Sequence, residues 1–166
     1  MSDSRPLENL WTAKKRLSKA EEAVAFEQYK MYVQLADHIS DRRDKANNFF
    51  LSLNTGVITA VGFLWDKHTV IQPKELIVFP LGALLAFCYF WHRLVKSYRQ
   101  LTTQKFILIG AVEERLPVRF WSTEWKLLGE GKDTKKYSPL SELEEKVPIV
   151  FGAIYIGIAV ITWFWS

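Results

Sequence analysis

One stretch of the chain, residues 47–65, is long enough and apolar enough to cross a lipid bilayer as a single helix. The bilayer core requires about 20 helical residues at a rise of roughly 1.5 Å each. The stretch carries no charge, yet it contains Asn47, Asn48 and Asn54. A core helix of a soluble protein is rarely this long without a charged residue. A helix that only anchors a protein in lipid has no use for side-chain amides. We therefore predict a membrane-spanning helix whose polar edge is hidden from lipid in an oligomer.

Apolar residues gather in three blocks, residues 47–65, 76–95 and 147–166, and charged residues fill the segments between them. A soluble domain would instead distribute apolar residues at the period of a strand or a helix along every element. Tryptophans stand near the block ends, as Trp65 and Trp91 do, and indole rings prefer the headgroup level. This pattern predicts an all-α polytopic membrane protein with three transmembrane helices, assembled as a homo-oligomeric bundle.

Two of the predicted spans continue as helices beyond the membrane. No proline or glycine lies between Pro6 and Gly56, and none lies between Gly82 in the second span and Gly110. Pro80 allows a kink within the second span. We expect both helices to extend into the cytosol, the second one as far as about Glu114. The predicted segments are a basic cytosolic tail (1–19), a cytosolic helix (20–46), the first span (47–65), an external loop (66–75), the second span (76–95), a cytosolic helix with an irregular amphipathic region (96–146) and the third span (147–166).

Lysine and arginine predict the orientation of these spans. Basic residues precede the first span, follow the second and precede the third, whereas the external loop contains only Lys67 and Lys74. The positive-inside rule relates such an excess to the cytosolic side. It places the N-terminus in the cytosol and the C-terminus outside.

The sequence contains no recognisable catalytic constellation. His38, His68 and His92 lie in separate predicted elements and lack the spacing of metal ligands. Residues 129–133, GEGKD, are not a Walker A loop, because an aspartate follows Lys132 and no strand precedes the glycines. We predict no enzymatic activity, no metal site and no cofactor.

Polar residues of the first predicted helix fall on two faces when they are projected at about 100° per residue. The first face, which we call the hydroxyl seam, consists of Asn48, Ser52, Thr55 and Thr59. It continues an acidic stripe that lies earlier in the same helix and is made of Asp37, Asp41 and Asp44. What we call the amide seam consists of Arg43, Asn47, Phe50 and Asn54.

Charge suggests how the two seams are oriented. We expect the acidic stripe to pair with Arg93, Lys96 and Arg99 on the second helix. The hydroxyl seam would then pack inside the protomer, and small hydroxyl residues suit close helix packing. The amide seam would face neighbouring subunits.

A ring of amide seams would have the parts of an ion channel. Arg43 would form a basic mouth that favours anions, the two asparagines a polar lining, and Phe50 an apolar constriction. Lining by the hydroxyl seam, with its aspartates, would favour cations, and the sequence leaves both seams open. If the asparagines only join helices and enclose no lumen, the protein is instead a non-conducting oligomeric scaffold or anchor that recruits a cytosolic partner.

Three segments resemble a known family. They are EQYKMYVQLADHISDRRDKANNFFLSLNT (residues 27–55), LPVRFWSTEWKLLGEGKD (116–133) and YSPLSELEEKVPIVFGAIY (137–155). They are similar to the small bacterial three-span proteins described as RipA-like octameric membrane proteins. Some relatives of this kind, of the Hailong type, act beside nucleotidyltransferases in anti-phage operons.

The resemblance implies a homo-oligomeric channel in the bacterial inner membrane that depolarises the infected cell. It also implies a partner nucleotidyltransferase whose oligonucleotide product holds the channel closed. Such a ligand would need a basic cytosolic vestibule, because phosphate contacts dominate its binding. The candidate residues are Arg42, Arg43 and Lys45, whose charges an oligomer would multiply.

Overall fold

The structure is a computed structural model that describes Leu7, Leu10, Trp11 and residues 17–66, 78–132 and 135–164. This part of the chain is all-helical, which confirms the all-α part of the prediction. The elements are α1 (Lys19–Asp66), α2 (Val78–Glu113), α3 (Phe120–Leu127), a short 3₁₀ helix (Gly129–Gly131) and α4 (Leu140–Phe164). Most of the basic tail and nearly all of the external loop, with Lys67, His68 and Lys74, lie outside the described residues.

Local chemistry accounts for the helix bounds. α1 runs for 48 residues without interruption, as the absence of proline and glycine before Gly56 predicts. α2 ends at Glu113, shortly before Pro117. α4 begins at Leu140, well before the predicted start of the third span at residue 147, so Pro148 lies inside the helix. The glycines of the GEGKD segment lie in the 3₁₀ helix Gly129–Gly131, where Gly129 and Gly131 have positive φ angles of 75° and 70°.

The chain divides into two compact units, and α1 and α2 contribute to both. The polar unit comprises residues 1–41 and 100–138. Its buried side chains include Ala36, Ile39 and Ile109, together with the carboxylate of Glu113 at the end of α2. This unit contains α3, the short helix that the sequence predicts as an amphipathic piece.

The apolar unit comprises residues 42–99 and 139–166, and therefore contains α4 with parts of α1 and α2. Its most deeply buried side chains include those of Asn54, Trp91, Val95 and Tyr155. One of them is an asparagine with no exposed surface, so a polar group lies deep in this unit.

Of the described helices, α4 alone is long and apolar enough to cross a membrane by length and composition. Its mean hydropathy reaches 2.2 over its most apolar window, and only 11% of that window is buried inside the protomer. A buried core helix would hide far more of its surface, so α4 has the exposure that contact with lipid requires. The start of the second predicted span, residues 76–77, lies outside the described residues.

Candidate functional site: two polar faces of α1

The amide seam of α1 contacts the other helices of its own protomer. Trp91 of α2 donates a hydrogen bond from Nε1 to Oδ1 of Asn47 at 2.9 Å. The ring of Phe50 stacks on the same indole, with centroids 5.7 Å apart. One face of α1 is therefore attached to α2 through an amide and an aromatic ring.

Asn54 is the polar centre of the apolar unit. Its Oδ1 accepts a hydrogen bond from the hydroxyl of Tyr155 in α4 at 2.8 Å, and the thiol of Cys88 in α2 lies 3.7 Å from the same oxygen. Its Nδ2 donates to the backbone carbonyl of Phe50 at 2.8 Å. The side chain is completely buried, so a single amide joins three helices and has no surface left to line a lumen.

Arg43, at the head of the amide seam, forms ion pairs within the protomer. Its Nε lies 3.2 Å from Oε2 of Glu144 in α4, without an aligned hydrogen bond, and both side chains are at least 86% buried. Its guanidinium also hydrogen-bonds Asp44 at 3.3 Å. The charge that would have formed a basic mouth is thus balanced by carboxylates.

The hydroxyl seam has the opposite placement. Asn48, Ser52, Thr55 and Thr59 are all exposed on the protomer surface. The hydroxyl of Thr59 donates to the carbonyl of Thr55 at 2.9 Å and is satisfied by its own helix. Within the described chain the side-chain amide of Asn48 has no hydrogen-bond partner. This seam therefore remains available to water or to another subunit.

The expected orientation of the two seams is thus reversed in the protomer. That expectation depended on pairing the acidic stripe with bases of α2, but Arg99 donates hydrogen bonds to Glu142 and Glu145 of α4, each at 2.8 Å. Asp37 and Asp41 are exposed. Acidic residues in the first turns of α4, Glu142 and Glu145, are therefore the partners of Arg99 in place of the aspartates of α1.

The basic residues proposed for ligand binding differ in their surroundings. Arg42 and Lys45 are exposed, whereas Arg43 is directed toward Glu144. His92 lies with Nδ1 3.1 Å from the backbone oxygen of Glu145. No cluster of three or more histidine, cysteine, aspartate or glutamate side chains in the described residues could hold a metal ion.

Comparison with known protein families gives a match over most of the chain. Residues 26–164 match the model of a family described as the octameric membrane protein family. No curated protein and no solved structure matches the chain. The matched region includes most of α1 and all of α2, α3 and α4, and therefore both seams.

Proposed function

This chain belongs to the octameric membrane protein family, and on that premise we propose that its copies assemble into an ion channel in the bacterial inner membrane. The family description supports self-association in a membrane, and the exposed apolar surface of α4 supports a membrane location. The proposal adds conduction to that assembly.

The exposed hydroxyl seam is the observation on which the proposal depends. Asn48 and Ser52 present an amide and a hydroxyl on the outside of a helix that we propose spans the bilayer. A polar group without a partner in hydrocarbon costs several kcal/mol. Water or another subunit therefore faces this seam, and a ring of such seams forms a polar pathway. A pathway lined by the hydroxyl seam favours cations, because Asp44 lies on the same face of α1 just before the seam. A pathway lined by Arg43 would instead have favoured anions.

The proposed topology is that of the sequence prediction: three spans, a cytosolic N-terminus and an external C-terminus. The distribution of lysine and arginine supports it. Within this topology Arg42 and Lys45 lie just inside the membrane, where a cytosolic ligand can reach them.

We further propose that the channel is an anti-phage effector that depolarises the infected cell, kept closed by an oligonucleotide from a partner nucleotidyltransferase. The resemblance of residues 27–55, 116–133 and 137–155 to the Hailong type supports this role. Exposed bases at Arg42 and Lys45, repeated around a ring, provide the charge that a phosphate chain needs.

Replacing Arg42 and Lys45 together with alanine is expected to weaken binding of a short DNA oligomer, with a shallower dependence on salt, because fewer counterions are released. Arg43→Ala should have the smaller effect, since Glu144 already balances that charge. Fluorescence anisotropy at several salt concentrations measures both. Lys96→Ala, an exposed base on α2, is the control; an equal loss in that variant would remove the assignment.

Cysteine accessibility tests the pore lining. Thr59 and Ala60 are adjacent and both exposed on the protomer, but they point about 100° apart. In a Cys88→Ala background, a water-soluble thiol reagent should block the current of the Thr59→Cys channel in a planar bilayer and leave that of Ala60→Cys unchanged. Equal block of both variants would contradict lining by the hydroxyl seam. A reconstituted octamer that is silent with and without DNA would favour the non-conducting scaffold instead.

A further inference from the structure

The part of α1 that belongs to the polar unit exposes an apolar stripe. Val24, Met31 and Leu35 are 59%, 68% and 48% exposed. Their spacings of seven and four residues place them on one face of the helix. We call this face the α1 stripe. Its heptad-like spacing is typical of a surface that another helical segment covers.

A second apolar patch of the polar unit lies on α3 and just before it. Val118, Phe120 and Leu127 are 52%, 71% and 74% exposed, and we call them the α3 patch. The backbone N–H of Trp121 donates to Glu113 at 3.0 Å, which fixes α3 to its own protomer. A short helix anchored in this way presents its apolar residues outward as a fixed surface.

The two surfaces belong to segments of opposite charge. Residues 19–41 contain five acidic and two basic residues, whereas residues 115–136 contain six basic and three acidic residues. Glu21 and Glu27 flank the α1 stripe, and Lys126 lies beside the α3 patch. All three are exposed, and Glu27 also pairs with Lys30 of its own helix at 2.8 Å. An anionic lipid surface would suit the α3 patch but would repel the α1 segment. A second copy of this chain fits both surfaces, because it brings the α3 patch, which lies in a basic segment, to the α1 stripe, which lies in an acidic segment.

We propose that the α3 patch of one copy docks on the α1 stripe of the next copy around the ring. A closed ring needs head-to-tail contacts between two different surfaces, and the polar unit has two that complement each other in charge and in apolar character. Pairing the α1 stripe with itself would place like charges together and would stop at a dimer. This contact depends on the family's self-association and not on ion conduction.

Cross-linking of co-expressed copies tests this contact. One copy carries Met31→Cys and the other Leu127→Cys, both in a Cys88→Ala background and with different affinity tags. Mild oxidation of membranes should give a cross-linked pair that contains both tags. A single copy carrying both substitutions should give a ladder of multimers, because each copy then joins two neighbours.

The controls separate this contact from its competitors. Phe26→Cys, exposed on the opposite face of α1, should not cross-link to Leu127→Cys. Dimers formed by Met31→Cys alone would show that the stripe pairs with itself and would overturn the proposal. A second result would also overturn the proposal: no mixed pair forms, and lipid-borne quenchers quench a fluorophore attached at Leu127→Cys. That result would assign the α3 patch to the membrane. Loss of current with cross-linking intact would leave the contact standing and remove the channel.

Discussion

Replacing Asn54 with leucine is expected to destabilise the folded protomer by about 2 kcal/mol, because a buried hydroxyl then has no partner. Leucine has nearly the shape of asparagine, so the change leaves no cavity. It removes the acceptor of the Tyr155 hydroxyl, which is almost completely buried. Hydrogen bonds between membrane helices are modest when broken singly, about 0.6 kcal/mol on average. The larger cost here comes from the orphaned hydroxyl. Unfolding in detergent–denaturant mixtures measures it.

Asn48→Leu is the matched control for this prediction. It makes the same chemical change in the same stretch of α1, but Asn48 is exposed and has no hydrogen-bond partner in the described protomer. We expect protomer stability close to that of the unmodified protein. Adding Tyr155→Phe to Asn54→Leu should recover most of the loss, since the orphaned hydroxyl is then absent. A similar loss for both asparagines would contradict the different placements of the two seams.

The helix bounds could be predicted because they depend on local chemistry. The absence of proline and glycine before Gly56 predicts an unbroken α1 up to that residue, and the charge-free run 47–65 predicts its continuation; Pro117 is enough to end α2. The apolar composition of residues 147–166 predicts α4 because a long charge-free run has few other structures available. The start of α4 at Leu140 does not follow from Pro148 alone, because proline usually marks a helix start or break, whereas membrane helices tolerate it in their interior.

The orientation of the two seams could not be predicted in the same way. The polar residues of both faces recur at helical spacing, so spacing does not distinguish the two faces. Only the residues of other helices that contact each face do so. Those partners are Trp91 on α2 and Tyr155 on α4, which are ordinary aromatic residues when each is read alone. The acidic residues at the start of α4 decide where Arg43 and Arg99 point, and no local pattern connects residues so distant in sequence.

Replacing Glu113 with alanine is expected to detach α3 from the polar unit, at a cost of about 3 kcal/mol, because charge-assisted hydrogen bonds are lost and backbone donors are orphaned. Arg119, the residue that precedes α3, provides no side-chain cap. Glu113 caps α3 instead. Its Oε1 accepts from the backbone N–H of Trp121 at 3.0 Å, and its Oε2 accepts from the N–H and hydroxyl of Ser122 at 3.0 and 2.9 Å. Hydrogen exchange of the α3 amides measures the loss, and the contact between α3 patch and α1 stripe should weaken with it.

The same carboxylate makes α3 sensitive to acid. Burial alone would raise the pKa of Glu113, but the hydrogen bonds from Ser122, Trp121 and Tyr29 outweigh burial and hold the pKa below its ordinary value. The stabilisation is therefore complete above the ordinary carboxylate pKa and is lost as the pH falls through the lowered one. Glu113→Gln should remove this acid-dependent step, whereas Glu114→Gln, its exposed neighbour, should retain it. If hydrogen-exchange protection of the α3 amides falls equally with decreasing pH in both variants, a group other than Glu113 controls the acid sensitivity of α3.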